Sequence, residues 1–323
     1  MRPDIKDQAQ GRWRGILGGL GMASKMLSGK HGPCPICDDG NDRFRFDDKD
    51  GKGSFICSKC GAGNGVDLVM QWKHVDFLGA KELIEGQIGS APLEAPKAGR
   101  DEAREKANMT SLWRRASPLD GQDIVSRYLK GRGVAMASWP ASVRWIAELA
   151  YSEDGETTLH PGMLAKYVAH DDSSAILHRI FLREPGAHAD VNRPKMFMPG
   201  KVPPGGAVRT GPVEETMGIG EGLVNSLSAG LQHRLTVWAA LDAGNLMKWI
   251  PPKGSKHIVI FGDLDSSFTG QMAAYNLAFR LKNMKLNPED KGSGEKYTAE
   301  VRFTQFTDNG QIDEDWNDMR EAA

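Results

Sequence analysis

Between Met217 and Ala274 two apolar segments each run into a glycine-bearing turn that carries carboxylates, and this pairing constrains the fold more than any other feature of the chain. Thr216-Met217-Gly218-Ile219-Gly220 leads into Glu221-Gly222, and Leu223 to Gly230 then has helical spacing, so the order is strand, tight turn, helix. His257 to Phe261 is a buried-type apolar run that stops at Gly262-Asp263-Leu264-Asp265, ahead of a second helical stretch from Gly270 to Leu281. Acids placed beyond the carboxyl ends of neighbouring parallel strands converge in the crevice where such sheets bind ligands. Glu221, Asp263 and Asp265 are therefore expected in one acidic cluster. Three anions in a crevice repel one another unless a cation sits among them or some stay protonated, and oxygen-only ligands favour Mg²⁺ or Mn²⁺. The competing reading of Asp-x-Asp after a strand is a helix N-cap plus a solvated acid.

A chain of 323 residues with 40% hydrophobic content can bury a real core and is expected to hold two or three domains. Its net charge is −1, so any nucleic-acid surface must be local. No apolar run is long enough to span a bilayer, and the N-terminus lacks the apolar core of a signal peptide. The expectation is a cytoplasmic protein without a membrane partner. All four cysteines fall in two Cys-x-x-Cys pairs, which leaves none for a disulfide framework.

Cys34-Pro35-Ile36-Cys37 and Cys57-Ser58-Lys59-Cys60 are separated by nineteen residues, the spacing of a structural zinc site. Four thiolates complete a closed tetrahedron with no open position for catalysis. A redox pair is the alternative for either motif alone. His31 is read as a bystander, since the four-cysteine set is complete without it. Between the pairs, Arg43-Phe44-Arg45-Phe46 and Ser54-Phe55-Ile56 flank Gly51-Lys52-Gly53, giving two strands of a ribbon. Phe44 and Phe46 share one face and Arg43 and Arg45 the other. Either the phenylalanines pack inward, or Arg43, Arg45 and Lys52 track a phosphate backbone while an exposed ring stacks on a base.

Before the ribbon, Gly11 to Leu27 has apolar residues at helical spacing, weakened by Gly15, Gly18, Gly19 and Gly21. After it, Ser90 to Arg100 carries two prolines and no periodicity and reads as a linker. Polar helices over Asp101 to Ala116 and Ile124 to Arg132 precede four strand-like runs between Val143 and Met198, the pattern of an antiparallel sheet. Asp242, at the end of the strand Val237 to Leu241, is expected to cap the following helix in preference to serving as a fourth metal ligand.

Gly220-Glu221-Gly222 and Asp263-Leu264-Asp265 resemble the glutamate and Asp-x-Asp motifs of the Toprim domain shared by bacterial-type primases, topoisomerases and some nucleases. Asp315-Trp316-Asn317-Asp318 resembles the family's third element, which would put Asp315 beside the other acids. The string Cys34-Pro35-x-Cys37, the Arg43 to Phe46 strand, and Cys57-x-x-Cys60-Gly61 followed by Gly65-Val66-Asp67 are similar to the zinc-binding domain of phage and plasmid primases; Cys37 stands where cellular bacterial primases use a histidine. His178-Arg179 and Pro194-Lys195 resemble the primase basic element, with His178 in place of the usual small residue, so Arg179 and Lys195 are the expected nucleotide or template contacts.

The resemblance implies an α/β fold: a Toprim-type parallel sheet with helices, preceded by an α+β antiparallel subdomain and a small β zinc ribbon. The corresponding division is 1–89 for the ribbon domain, 90–105 for the linker, 106–212 for the basic subdomain and 213–323 for the Toprim subdomain. It implies a DNA primase that makes short RNA primers from ribonucleoside triphosphates on single-stranded DNA. In that reading Zn²⁺ is structural on Cys34, Cys37, Cys57 and Cys60. Mg²⁺ or Mn²⁺ is catalytic on Asp263, Asp265 and Asp315, with Glu221 as ligand or proton acceptor. A replicative helicase is the expected partner, as a separate chain or a missing domain, because no Gly-x-x-x-x-Gly-Lys-[Ser/Thr] loop is present. Two readings compete: a non-catalytic recombination mediator that joins a four-cysteine motif to a Toprim domain, and a Toprim nuclease or topoisomerase.

Overall fold

The computed structural model describes residues 4–94, 101–153, 155–287 and 294–303. The chain divides into two compact units, Met1–Arg100 and Asp101–Ala323. Asp315 and the acidic tail motif around it lie outside the described residues.

In the first unit two short helices, α1 (Ile5–Ala9) and α2 (Trp13–Gly19), precede a four-stranded antiparallel ribbon of β1 (His31–Gly32), β2 (Phe44–Phe46), β3 (Phe55–Cys57) and β4 (Gly61–Gly63), in that order. Helices α3 (Gly65–Lys73) and α4 (Phe77–Ile88) follow. Helix α3 starts where it does because Asn64 and Asp67 form a reciprocal capping box. Helix α2 forms despite its glycines because Trp13, Ile16 and Leu17 are fully buried. Burying three such side chains contributes about 1.5–3 kcal/mol each, against about 1 kcal/mol for each of Gly15, Gly18 and Gly19. The Trp13 indole lies flat on the ribbon: a Cβ at Gly53, already at φ +66°, would come within 2.6 Å of it. The helical prefix and the ribbon therefore share one core with Phe44, Phe46, Phe55, Val66, Leu68 and Ile84. Ala91 is buried in the same core, and Arg12 donates to its carbonyl.

The second unit opens with α5 (Glu102–Arg115), β5 (Ser117–Pro118) and α6 (Ile124–Gly131). A long antiparallel meander follows, β6 (Val143–Glu153), β7 (Glu156–Val168) and β8 (Ala175–Arg183), with β9 (Ala187–His188) and β10 (Lys195–Phe197) both paired to β8. Beyond Ala165, the edge of β7 that β6 has left is taken by β11 (Ala207–Val208). The parallel part contains β12 (Thr216–Gly220), α7 (Leu223–His233), β13 (Val237–Ala239), α8 (Ala243–Lys248), β14 (His257–Phe261), α9 (Thr269–Asn283) and β15 (Thr298–Arg302). Its strands lie in the order β13-β12-β14-β15. The expected antiparallel sheet is thus present, but it is not a separate layer: β11 pairs antiparallel with both β7 and β13 and joins the two halves into one eleven-stranded sheet.

The parallel strands β12, β13 and β14 are buried along nearly their whole length, as their largely apolar sequences require, whereas the edge strand β15 is only half-buried. Met217, Ile219, Ile258 and Ile260 pack with Ala273, Leu277 and Leu281 of α9 and Leu246 of α8, while Val237, Val259 and Phe261 pack on the other side with Ala229 of α7.

Candidate metal centres and nucleic-acid face

In the ribbon, the sulfurs of Cys34, Cys37, Cys57 and Cys60 all lie within 4.8 Å of one another, and Cys34 Sγ stands 3.8 Å from Cys60 Sγ. A zinc–sulfur bond of about 2.3 Å gives a tetrahedral S···S edge of about 3.8 Å, so the cage fits a zinc ion. Each knuckle turns backbone N–H groups onto its first sulfur: Ile36 onto Cys34, and Lys59 and Cys60 onto Cys57, each at 3.4 Å. Burial raises the Cys57 thiol, but the N–H groups of Cys60 and Lys59 and the neighbouring thiols outweigh it and bring it down to about 7. Burial, then the other three thiols, push Cys60 up to about 12, and burial raises Cys34. The protein alone can thus carry one thiolate easily and resists more; a dication at the centre removes that resistance. His31 is outside the cage, its ring bonded to the Asp42 carbonyl and to Arg45.

The phenylalanines of the ribbon face its core, Phe44 at 1% and Phe46 at 0% exposure, so neither ring is available to stack on a base. Their alternation with arginine is the signature of a half-buried strand, and core packing claims the apolar face. Arg43 pairs with Asp39 and Arg45 with Asp47, while Lys52 is exposed on the hairpin turn. The aspartates in the ribbon therefore offset much of its positive field.

The acids sit where the parallel strands end. Gly220 of β12 is in register with Phe261 of β14, so Glu221 and Gly262-Asp263 leave adjacent strands at the same end of the sheet. The Leu241 N–H donates to the Glu221 carbonyl and fixes that turn against the end of β13. Gly220 admits no side chain: a Cβ there would lie 2.6 Å from Ser226 Oγ, so α7 packs directly on the turn. From the first turn of α7, Asn225 donates its amide N–H to Asp263 Oδ1 at 3.2 Å. Asp265 points at the start of α9, where its carboxylate accepts from Ser267 Oγ (2.5 Å), Thr269 N (3.1 Å) and Gly270 N (2.7 Å). Burial pushes its carboxyl up, but these donors outweigh it and hold it below the usual carboxylate range.

Among the described residues, the four cysteines are the only set of three or more His, Cys, Asp or Glu side chains with all ligating atoms within 4.8 Å. Glu221, Asp263 and Asp265 share one end of the sheet at wider spacing than that. Repulsion accounts for it, since three ionised carboxylates do not close up without a cation, and the positive end of α9 offers Asp265 another partner. Half-buried carboxylate oxygens of this kind suit a hard divalent ion. Asp242 caps α8 through the Asn245 N–H at 2.7 Å, as expected.

Arg179 and Lys195 lie on the paired strands β8 and β10. The Arg179 guanidinium reaches the Met196 sulfur and the Phe197 carbonyl and lies 5.4 Å from the Phe181 ring centroid. Burial, then Lys195 and Arg179, push His178 down to about 4; burial, then Lys195 and Arg132, do the same to His188. Both imidazoles are neutral near pH 7 inside a cationic neighbourhood formed by Arg132, Arg179 and Lys195. Tyr128 hydroxyl and His188 Nε2 are 2.9 Å apart, tying α6 to this strand edge. Sequence reasoning did not single out Arg132, Tyr128, His188 or Asn225; only strand register and helix packing bring them to their places. Four strand steps, β8-β7-β11-β13-β12, separate Arg179 from the strand that ends at Glu221. At about 4.8 Å per step that is about 19 Å along the sheet.

Three family models match the chain: the zinc-binding domain of primase-helicase over residues 29–66, a domain of unknown function over 103–210, and a Toprim domain over 216–323. The chain therefore joins a zinc-binding domain of the primase-helicase type to a Toprim domain. Solved structures similar to it include a DNA primase domain from Pseudomonas aeruginosa (12% identity, 67% of this chain and 74% of that one, TM-score 0.39). The zinc-binding and RNA polymerase domains of the Aquifex aeolicus primase align at 16% identity over 86% and 77% (TM-score 0.35). The primase fragment of the bacteriophage T7 primase-helicase protein aligns at 13% over 86% and 90% (TM-score 0.32). Likenesses at these identities and TM-scores assign no activity.

Proposed function

We propose that this chain, with its zinc-binding domain of the primase-helicase type and its Toprim domain, is a DNA primase of the phage or plasmid kind. It would synthesise short RNA primers on single-stranded DNA by nucleotidyl transfer. The observation that carries the reading is the exit of Glu221 and Asp263 from adjacent parallel strands at one end of the sheet, in a chain that also holds a four-cysteine ribbon. A divalent Mg²⁺ or Mn²⁺ held by Glu221, Asp263 and Asp265, with Asp315 as a further candidate ligand, would supply charge neutralisation at the reacting phosphate and its oxygens.

The chain's own residues do the rest. Asn225 orients Asp263 from α7, and the N-terminal end of α9 keeps Asp265 ionised. Arg179 and Lys195, with Arg132 beside them, hold template phosphates along the antiparallel half. The four-cysteine ribbon, with Arg43, Arg45 and Lys52 on it, presents template to the crevice through the segment between the units, acting by effective concentration in place of high affinity. A replicative helicase is the partner this activity calls for. The bonds of Asp265 to the start of α9 are what a non-catalytic Toprim mediator would show equally well. Incorporation of labelled ribonucleotides on random single-stranded DNA with Mg²⁺ or Mn²⁺ separates the two: primers support the primase, and DNA binding without any incorporation supports the mediator.

A further inference from the structure

The loop ahead of α6 and the segment leading into β6 enclose a cleft of about 620 Å³, within the range of small-ligand sites. Neither the acids nor the cationic strand edge contributes to it. Its walls are apolar at Leu119, Met136 and Pro140, with the half-buried indole of Trp139 beside them. At the rim, Gly121 has φ +87°, and a Cβ there would lie 3.8 Å from Lys130 Nζ and 3.9 Å from Trp139 Nε1. The ammonium and the indole N–H therefore converge on one point. Lys130 donates to the Gly121 carbonyl at 2.6 Å. The other cation in the lining, Arg144, donates to the carbonyls of Trp113 (3.0 Å) and Ala116 (3.3 Å) and lies 4.5 Å from the Trp113 ring centroid. Among the described residues neither cation has a carboxylate partner, so both keep their charge for an anion. The one acid in the lining, Asp120, turns its carboxylate onto the N–H groups of Gln122 and Asp123, both at 2.8 Å.

An aromatic side chain, an apolar slot and two cations without carboxylate partners are the parts from which single-strand binding surfaces are made. We propose that this cleft seats one nucleotide of a single-stranded nucleic acid, with the base against Trp139 and the flanking phosphates toward Lys130 and Arg144. Two point charges match the phosphates on either side of one base; a free triphosphate, with its higher charge, calls for more donors than the cleft supplies. The inference deepens the primase reading and rests on it, by adding a template contact outside the Toprim half.

The test uses the full zinc-loaded chain, fluorescence anisotropy of a labelled oligothymidylate and a salt series. Trp139→Ala is expected to raise Kd about tenfold, the loss of one stacked base, and Trp139→Phe to stay within about threefold. Lys130→Gln, on an exposed side chain, is expected to raise Kd about fivefold and to flatten the salt slope by about one. Lys253→Gln, on an exposed lysine outside the lining, should change neither. Wild-type binding that Trp139→Ala and Lys130→Gln both leave unchanged overturns the cleft and spares the primase reading. A wild type that binds no oligonucleotide overturns the primase reading itself. Variants that lose only ATP binding overturn the strand assignment.

Discussion

The four cysteine sulfurs of the ribbon stand within 4.8 Å of one another, whereas Glu221, Asp263 and Asp265 share a sheet end without closing to that spacing. The two sets differ in what their ligands are before a metal arrives. Thiols are largely neutral, so core packing and the knuckle N–H groups can assemble them in advance. Carboxylates are already charged, so the fold can bring their strands together but not the oxygens themselves. Asp265 shows the consequence, resting on α9 while Asn225 takes up Asp263. The first site is complete in the polypeptide; on the proposed reading the second is finished by its cation.

Substitutions can break this contrast. The largest effect is expected at Cys57→Ser, which should abolish zinc binding and leave the ribbon core of Phe44, Phe46 and Phe55 unable to fold. Structural zinc in small modules is worth about 10–16 kcal/mol. Metal analysis giving one zinc per wild-type chain and none in the variant is the check, and an unchanged zinc content would remove the tetrathiolate. Next comes Asp263→Ala, expected to lower dinucleotide synthesis by at least about a thousandfold while oligonucleotide affinity stays within about twofold. Unlike the cysteine change it should leave the chain folded and the zinc content unchanged, since the relief of repulsion is set against the lost hydrogen bond from Asn225.

Asp265 sharpens the contrast, since its bonds to the start of α9 and its ligation are read by different assays. Both of its oxygens accept, one from Ser267 and Thr269 and the other from Gly270, so an amide, with a single acceptor oxygen, loses part of this set and alanine loses all of it. Asp265→Asn should lose synthesis with a smaller loss of stability than Asp265→Ala, which should lose both; melting curves beside the incorporation assay read the two. The same residue sets the smallest effect, on pH. Its folded carboxyl lies below the ordinary 3.8, so the stability it contributes is present above that value and lost as pH falls through the lowered folded one. Asp265→Ala should therefore flatten the acid limb of stability below pH about 4, visible in urea titrations at successive pH values.

Local rules made much of this legible. The Cys-x-x-Cys spacing announces the ribbon, and strands that end in glycine and an acid announce the parallel sheet, because each is set by residues close in sequence. The bland alternatives raised by the same residues also proved informative: Phe44 and Phe46 went to the core, and Asp242 became a cap. What the sequence conceals is set by long-range pairing. Two residues, Ala207 and Val208, weld the antiparallel and parallel strands into one sheet, and no periodicity can be read from a strand that short. That weld spaces Arg179 about 19 Å along the sheet from the strand of Glu221.

Manganese binding followed by electron paramagnetic resonance on the zinc-loaded chain tests the central claim most directly. The account predicts at least one bound Mn²⁺ per chain, displaced by Mg²⁺ and lost in Asp263→Asn and Glu221→Gln, with the zinc content unchanged. Manganese affinity that is absent in the wild type, or indifferent to both substitutions, would contradict it.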